Sequence, residues 1–439
     1  MSIENVAPPP VKRNGLRCKD SKIRGALGRS PRRGAAPGEN RVGSTGRRLL
    51  TIVFLLIVGC LQLARAGADD PGLDRFLQGL WPAAREAGVT REIFDGAIEG
   101  LSIDPGVLRQ PRAQAEFTVS IPSYIASAVT PARVDRGRAI AREISAPLAR
   151  IAARDSVPGE VLLAITGVES NFGSATGGAD ALRVLATLAY RGHRGQTFAD
   201  EFVAALVMLQ KGYVTRERLR GSWAGAMGQP QFLPSAYLKY AQSYAGDGAP
   251  DIWTNRLDSL ASIGNFLKSS GWVAGVPAVI ETRVPDGFDY AAFDLDLAHW
   301  RALGFSRADG GDLPARGPAS LYLPAGAAGP AFLITDNFEA IRQYNTSDAY
   351  ALSVALLADR IAGRRVPIAP WPRTAALSTA DCMDMQRLLT QRGFYQGPID
   401  GKLGRASRNA VHAFQLSAGM QPADGFASKA VLERLRRSE

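Results

Sequence analysis

AITGVESNFG, residues 164–173, is the stretch on which the reading of this chain turns, together with GSWAGAMGQPQFLP at 221–234. Pro158 suits a first helical turn, and Val161, Leu162, Ile165, Val168 and Phe172 follow at helical spacing. On a helix through 158–170, Glu169 shares its face with Leu162, Ile165 and Phe172. A carboxyl on such an apolar stripe loses solvation of its charged form. Its pKa is expected to rise toward the range where it donates a proton near neutral pH. Taken alone, a Glu in this place is more often exposed or capping; the second stretch reverses that balance. Small residues fill positions 221, 222, 224, 225, 226 and 228, so backbone is free to approach a ligand closely. Ser222, Gln229 and Gln231 supply neutral hydrogen-bonding groups, while Trp223 and Phe232 supply rings. That mixture suits a sugar. The competing reading is a loop that simply packs between helices.

Outward from this pair the pattern is mostly helical. It runs from Leu73 to about Arg154, then through 179–190, 196–211, 234–243 and 257–270, and returns from Phe338 to Ala362. Between about 276 and 335 short β-prone runs (Ala278–Val284, Ser320–Leu323, Phe332–Thr335) alternate with turn residues, which predicts a small β insertion. RRVPIAPWPR at 364–373, with three prolines, lies in a stiff linker spanning 363–376. Residues 377–437 then form a separate module, in which Asp400-Gly401 and Asp424-Gly425 make tight turns.

At 46% hydrophobic and 21% charged the chain is of ordinary globular composition, long enough for two or three domains. The formal charge of +11 invites a nucleic-acid partner. Its location argues against one: residues 1–66 hold 13 Lys and Arg against 3 Asp and Glu, leaving the remainder near neutral. This leader is Arg-, Gly- and Pro-rich and ends in an apolar run, Leu49–Leu61, preceded by Arg47-Arg48. The run is short for a membrane span and suits an export signal. Two processing sites compete. Ala64-Arg65-Ala66 fits ordinary signal cleavage, and Ile57-Val58-Gly59-Cys60 resembles a lipobox that would leave a lipid anchor on Cys60. After cleavage only Cys382 remains, so no intrachain disulfide is expected. His193, His299 and His412 are scattered, and neither a metal site nor another cofactor is expected.

The two opening stretches resemble the lytic murein transglycosylase B family of peptidoglycan-cleaving enzymes. A third segment, NFEAIRQYNTSDAYA at 337–351, completes the resemblance, since members carry a similar Tyr-Asn followed by Ser-x-x-Tyr-Ala. The resemblance spans about residues 72–362. It implies a mainly α fold, a lysozyme-like helical catalytic domain with the β insertion at about 276–335. It also implies that Glu169 is the single acid and base for cleaving the β-1,4 bond between N-acetylmuramic acid and N-acetylglucosamine, with a 1,6-anhydro product. By position, Tyr124, Arg194, Ser222, Gln231, Phe232, Tyr344, Asn345 and Tyr350 are implied to line the saccharide groove. Two departures stand out: Gly195 replaces the second of an arginine pair, and Phe266 stands where Tyr is frequent. Some members bind a cation in an EF-hand-like loop. Here SYAGDGAPDIW at 243–253 keeps Asp247-Gly248 and Asp251 but lacks the earlier oxygen ligands, and a plain turn is expected.

DMQRLLTQRGFYQGPIDGKLGRASRNAVHAFQLSAGM resembles the peptidoglycan-binding module of three short helices attached to many cell-wall enzymes, with Ser407 where Thr is usual. The implied partners are peptidoglycan glycan strands, and the implied location is the periplasm of a Gram-negative bacterium, free or lipid-anchored to the outer membrane. A hydrolytic muramidase using the same acid remains open as an alternative, as does a non-catalytic wall-binding protein.

Overall fold

The computed structural model describes residues 70–109, 119–246, 248–290, 292–372 and 377–437. The leader with both processing sites and Cys60, Asp247, and linker residues 373–376 lie outside the described residues. Four short helices come first: α1 (Pro71–Gly79), α2 (Trp81–Glu86), α3 (Arg91–Ile98) and α4 (Pro105–Leu108). Next are α5 (Ile121–Ala128) and α6 (Pro131–Glu143). Each starts at a hydroxyl N-cap, Ser120 or Thr130, with proline in the first turn. Such caps satisfy orphan N–H groups and contribute about 1 kcal/mol apiece. α7 (Ser145–Asp155) leads into α8 (Gly159–Ser170).

Ten of the twelve residues of α8 are buried, so it is enclosed on all sides and not amphipathic. Beyond it, β1 (Ala179–Asp180) pairs antiparallel with β2 (Arg220–Gly221), enclosing α9 (Ala181–Tyr190) and α10 (Thr197–Gln210) between them in sequence. α11 (Pro234–Tyr240) and α12 (Arg256–Ser269) follow; Asn255 caps α12 by accepting from the Leu257 N–H.

The expected β insertion is a five-stranded antiparallel sheet. Its strands are β3 (Val279–Arg283), β4 (Asp294–Asp296), β5 (Ser306–Arg307), β6 (Pro318–Tyr322) and β7 (Ala331–Ile334), in the order β4-β6-β7-β3-β5. The short helix α13 (Leu297–Ala302) lies between β4 and β5 in sequence. In the register, Leu333 of β7 sits between Leu321 and Ile280. These pack with Leu297, Trp300 and Phe305 into a core separate from the helical one.

The helical pattern expected from Phe338 to Ala362 is resolved into two helices, α14 (Asp336–Tyr344) and α15 (Asp348–Ile361). Asn345 is extended, at φ −145° and ψ 127°, and Ser347 caps α15 by accepting from the Tyr350 N–H at 3.3 Å. Asn, Thr and Ser in succession offer the backbone side-chain partners in place of a continuing helix. α15 packs along α8, as do α6, α7 and α12, so the break delivers residues 345–350 to the C-terminal end of the central helix.

The described part of the linker is fastened to the sheet: the Glu281 carboxylate accepts from the Ile368 and Ala369 N–H groups at 2.7 and 2.8 Å. The C-terminal module is α16 (Thr379–Gln391), α17 (Arg405–Ser417) and α18 (Lys429–Arg437) around Met385, Leu389, Val411, Phe414, Leu432 and Leu435. Two buried glutamines hold its Asp-Gly turns in the same way. Gln386 accepts from the Gly401 N–H and donates to Asp400, while Gln415 accepts from the Gly425 N–H and donates to Asp424.

Candidate active site

α8 ends one residue beyond Glu169. Asn171, Phe172 and Gly173 all take positive φ, at 49°, 56° and 82°, and the chain folds back on itself. Phe172 therefore reaches the core by reversal and not as the next member of a helical stripe, which corrects the expected spacing. Its N–H donates to the Thr166 carbonyl at 2.9 Å. Its ring covers Gly167, where a Cβ would lie 2.8 Å from the ring edge. A bulky residue at positive φ costs roughly 1–3 kcal/mol, a strain typical of functional sites.

The reversal presents the last turn of α8 to the 221–234 loop. Ser170 Oγ donates to the Gln229 carbonyl at 2.7 Å and accepts from the Gly173 N–H at 3.0 Å. The loop itself is a closed double turn: Met227 and Phe232 exchange backbone hydrogen bonds at 2.8 and 3.0 Å, and the Ser222 N–H donates to the Ala226 carbonyl at 2.7 Å. Its glycines serve the protein's own packing. A Cβ on Gly228 would lie 2.5 Å from the Ile252 carbonyl oxygen, and one on Gly221 would lie 2.3 Å from that of Ala226. The expected close approach of a ligand to these glycines is thus replaced by close approach of protein. Within 221–234 only Trp223 is partly exposed.

Glu169 is 2% exposed, and its Oε1 accepts a 2.7 Å hydrogen bond from the Tyr350 hydroxyl. Tyr344 lies parallel to Tyr350, with ring centroids 6.5 Å apart, and its hydroxyl donates to the Pro230 carbonyl at 2.6 Å. The acid, the loop and the two tyrosines thus form one connected network. Burial, and after it the nearby Glu169 carboxylate, raises both phenols well above the usual tyrosine value, so both remain donors.

The other expected groove residues fall around this network. Tyr124 is buried on α5, close enough to Tyr350 to add to the upward push on its phenol. Phe232 is buried between Phe266 and Tyr344, with centroids at 6.0 and 5.8 Å. Gln231 is buried at φ 53°, and its Nε2 donates to the Gly228 and Thr176 carbonyls. Ser222 Oγ accepts from the Ala226 N–H, which tightens the turn. Asn345 Oδ1 accepts from the Ser347 N–H, while its buried Nδ2 has no partner among the described residues. Arg194 is the exception: it is exposed, on the turn between α9 and α10, at φ 52°. Sequence reasoning passed over Ser170, which fixes the turn after Glu169, and gave Ser347 no role beyond its place in the motif, although it fixes the start of α15. A Ser three residues before Tyr350 is the helix-start signal that marks the second of them.

The described carboxylates in and beside the 243–253 loop are held by protein donors. Asp258 accepts from the Tyr244 and Asp251 N–H groups, both at 2.9 Å, and Asp251 accepts from Thr254, the Trp253 N–H and the Arg218 guanidinium. Burial pushes the Asp251 pKa up, but the hydrogen bonds from Thr254, Trp253 and Arg218 together hold it below the ordinary value. Carboxylates so committed, one of them against a cation, do not fit the six to eight oxygens calcium needs.

Residues 72–359 match the transglycosylase SLT domain family, and residues 378–435 match the putative peptidoglycan-binding domain family. Membrane-bound lytic murein transglycosylase B of Escherichia coli is 29% identical over 322 residues, which cover 70% of this chain and 87% of that protein. SltB3 of Pseudomonas aeruginosa, solved in complex with NAG-anhNAM-pentapeptide, is 41% identical with a TM-score of 0.77, over 83% of this chain and 99% of that one. The lytic transglycosylase Slt35 of Escherichia coli, solved in complex with calcium, is 28% identical with a TM-score of 0.56, over 69% of this chain and 96% of that one.

Proposed function

Because this chain belongs to the transglycosylase SLT family, and is a peptidoglycan lytic transglycosylase with an attached peptidoglycan-binding domain, we propose that Glu169 is its single catalytic acid and base. The observation that carries the assignment is the buried Glu169–Tyr350 pair, joined through Tyr344 and Ser170 to the 221–234 loop. Removal from water disfavours the charged carboxylate and favours an acid able to give up its proton to a leaving oxygen. Protonated Glu169 donates to the oxygen of the β-1,4 bond, the bond from that oxygen to the muramoyl C1 breaks, and positive charge develops at C1. The Tyr350 hydroxyl then steadies the carboxylate just formed. That carboxylate takes the proton of the muramoyl C6 hydroxyl as its oxygen bonds to C1, giving a 1,6-anhydro end without consuming water.

Enzymes that hydrolyse glycosides commonly need a second carboxylate, as nucleophile or base. The other buried carboxylates among the described residues, Asp155, Glu201, Asp258 and Glu281, are all engaged by protein donors. This supports a mechanism with one acid. The unpartnered Asn345 Nδ2 is a donor for an acetamido or hydroxyl oxygen of the sugar, since an unmet buried N–H costs about 1–3 kcal/mol. Trp223 offers a partly exposed ring for stacking, while Tyr124, Ser222, Gln231 and Phe232 shape the walls. Export to the periplasm, free or anchored through Cys60, completes the reading. Among the described residues no helix is long and apolar enough to cross a membrane. Intact mass of the mature N-terminus distinguishes Gly67 from a lipidated Cys60. Digestion of purified sacculi by wild type and Glu169→Gln tests the acid: the variant is expected to bind sacculi and release nothing, and release near the wild-type rate overturns the assignment.

A further inference from the structure

The break between α14 and α15 and the first turn after it carry two groups of the site, Asn345 and Tyr350, and that turn is held from outside by a residue of the C-terminal module. Asp348 is the first residue of α15, two before Tyr350. Its oxygens are shared between two arginines of different origin. Arg342 Nε of α14 lies 2.9 Å from Oδ1 as an ion pair without hydrogen-bond geometry, and Arg408 Nη1 of α17 donates to Oδ2 at 2.7 Å. Arg342 also donates to the Thr346 carbonyl inside the break. The Arg408 guanidinium stands over the Tyr322 ring at 4.8 Å, which fixes the plane from which it reaches Asp348. Asp348 is only 16% exposed and Arg408 26%, so the pair is poorly screened by solvent.

From this arrangement we infer that Arg408, although it belongs to the wall-binding module, is a positioning residue for the catalytic acid, acting through Asp348 and Tyr350 on Glu169. The inference rests on the assignment of Glu169 above. Each link is a contact already given. Arg408 fixes Asp348, Asp348 and Ser347 fix the first turn of α15, and Tyr350 in that turn donates to Glu169 Oε1. The module therefore does more than hold the enzyme to the wall, since half of the clamp on the acid's hydrogen-bond donor comes from it. Loss of Arg408 leaves one oxygen of a partly buried carboxylate unmet at the helix start, and the α15 first turn loosens around Tyr350. Geometry at a reacting centre is sensitive to displacements of this size.

The test uses the full mature chain and a short soluble glycan, measuring kcat and KM separately together with sacculus binding and thermal midpoint. Arg408→Ala is expected to lower kcat about tenfold with KM and sacculus binding little changed. Arg408→Lys should recover part of that loss, because an ammonium still reaches a single oxygen. Arg408→Ala added to Asp348→Asn should cost nothing further. Arg405→Ala is the control: it lies one turn earlier on α17, pairs only loosely with Asp294 and Glu339 at 3.9 Å, and should leave kcat unchanged. Wild-type kcat in Arg408→Ala, an equal loss in Arg405→Ala, or losses that add in the double variant each overturn the inference. Should Arg408→Ala fail to fold, Arg408→Lys and Asp348→Asn carry the comparison. An inactive Glu169→Gln beside a fully active Arg408→Ala removes this inference alone. An active Glu169→Gln removes the acid assignment itself.

Discussion

Tyr350→Phe deletes one hydroxyl and nothing else. The ring is fully buried and parallel to Tyr344, so its packing is kept, while Glu169 Oε1 loses a donor 2.7 Å away. A hydrogen bond to a charged group contributes about 1.5–3 kcal/mol. That bond is strongest once Glu169 has given up its proton, which is when the transition state draws on it. At about 1.4 kcal/mol per tenfold in rate, kcat should fall roughly ten- to hundredfold. The phenol donates to Glu169 and its ring is fully buried, so KM should move little. Initial rates of anhydro-product release from a soluble glycan measure this, with a thermal melt alongside; the midpoint should drop by no more than a few degrees. A variant within about twofold of wild-type kcat would show that the phenol does not support the acid in the transition state. A change confined to KM would instead place Tyr350 on the substrate.

Gly228→Ala should destabilise the chain by roughly 2 kcal/mol or more, because φ is +67° and the new Cβ meets the Ile252 carbonyl at 2.5 Å; thermal denaturation reads this. Millimolar calcium, or its removal with a chelator, should leave the thermal midpoint unchanged, since Asp251 and Asp258 are already held by protein donors; a rise of several degrees with calcium would contradict that fit. Burial pushes the Cys382 thiol up to about 11, so alkylation at pH 8, followed by peptide mapping, should leave this residue unmodified until the protein is unfolded.

That Glu169 and the 221–234 loop belong together was legible because their marks are local: a carboxyl in an apolar helix and a run of small residues stand out in one dimension. The purpose of the small residues was not legible. Gly221 and Gly228 are constrained by the Ala226 and Ile252 carbonyls, and a contact across some two dozen residues, as between Gly228 and Ile252, leaves no local mark. The Phe172 spacing misled because side-chain periodicity carries no information on the sign of φ, and the helix stops before that residue. β4 and β5 escaped notice as short polar strands recruited by their neighbours β6 and β3, whereas β3 and β7 announced themselves through apolar runs. The break at 345–347 was written in Asn-Thr-Ser, but the apolar period on either side masked it. The Arg408–Asp348 contact, formed between separate helices of different domains, had no sequence signature at all.

Digestion of peptidoglycan in heavy-oxygen water probes the proposed chemistry at its centre, because a proton that leaves Glu169 and returns from the sugar's own hydroxyl brings in no solvent oxygen. Wild type should release muramoyl ends one water lighter than hydrolysis products and free of label, and Glu169→Gln should release none. Label at the muramoyl C1, or unlabelled anhydro ends from Glu169→Gln, would contradict the account.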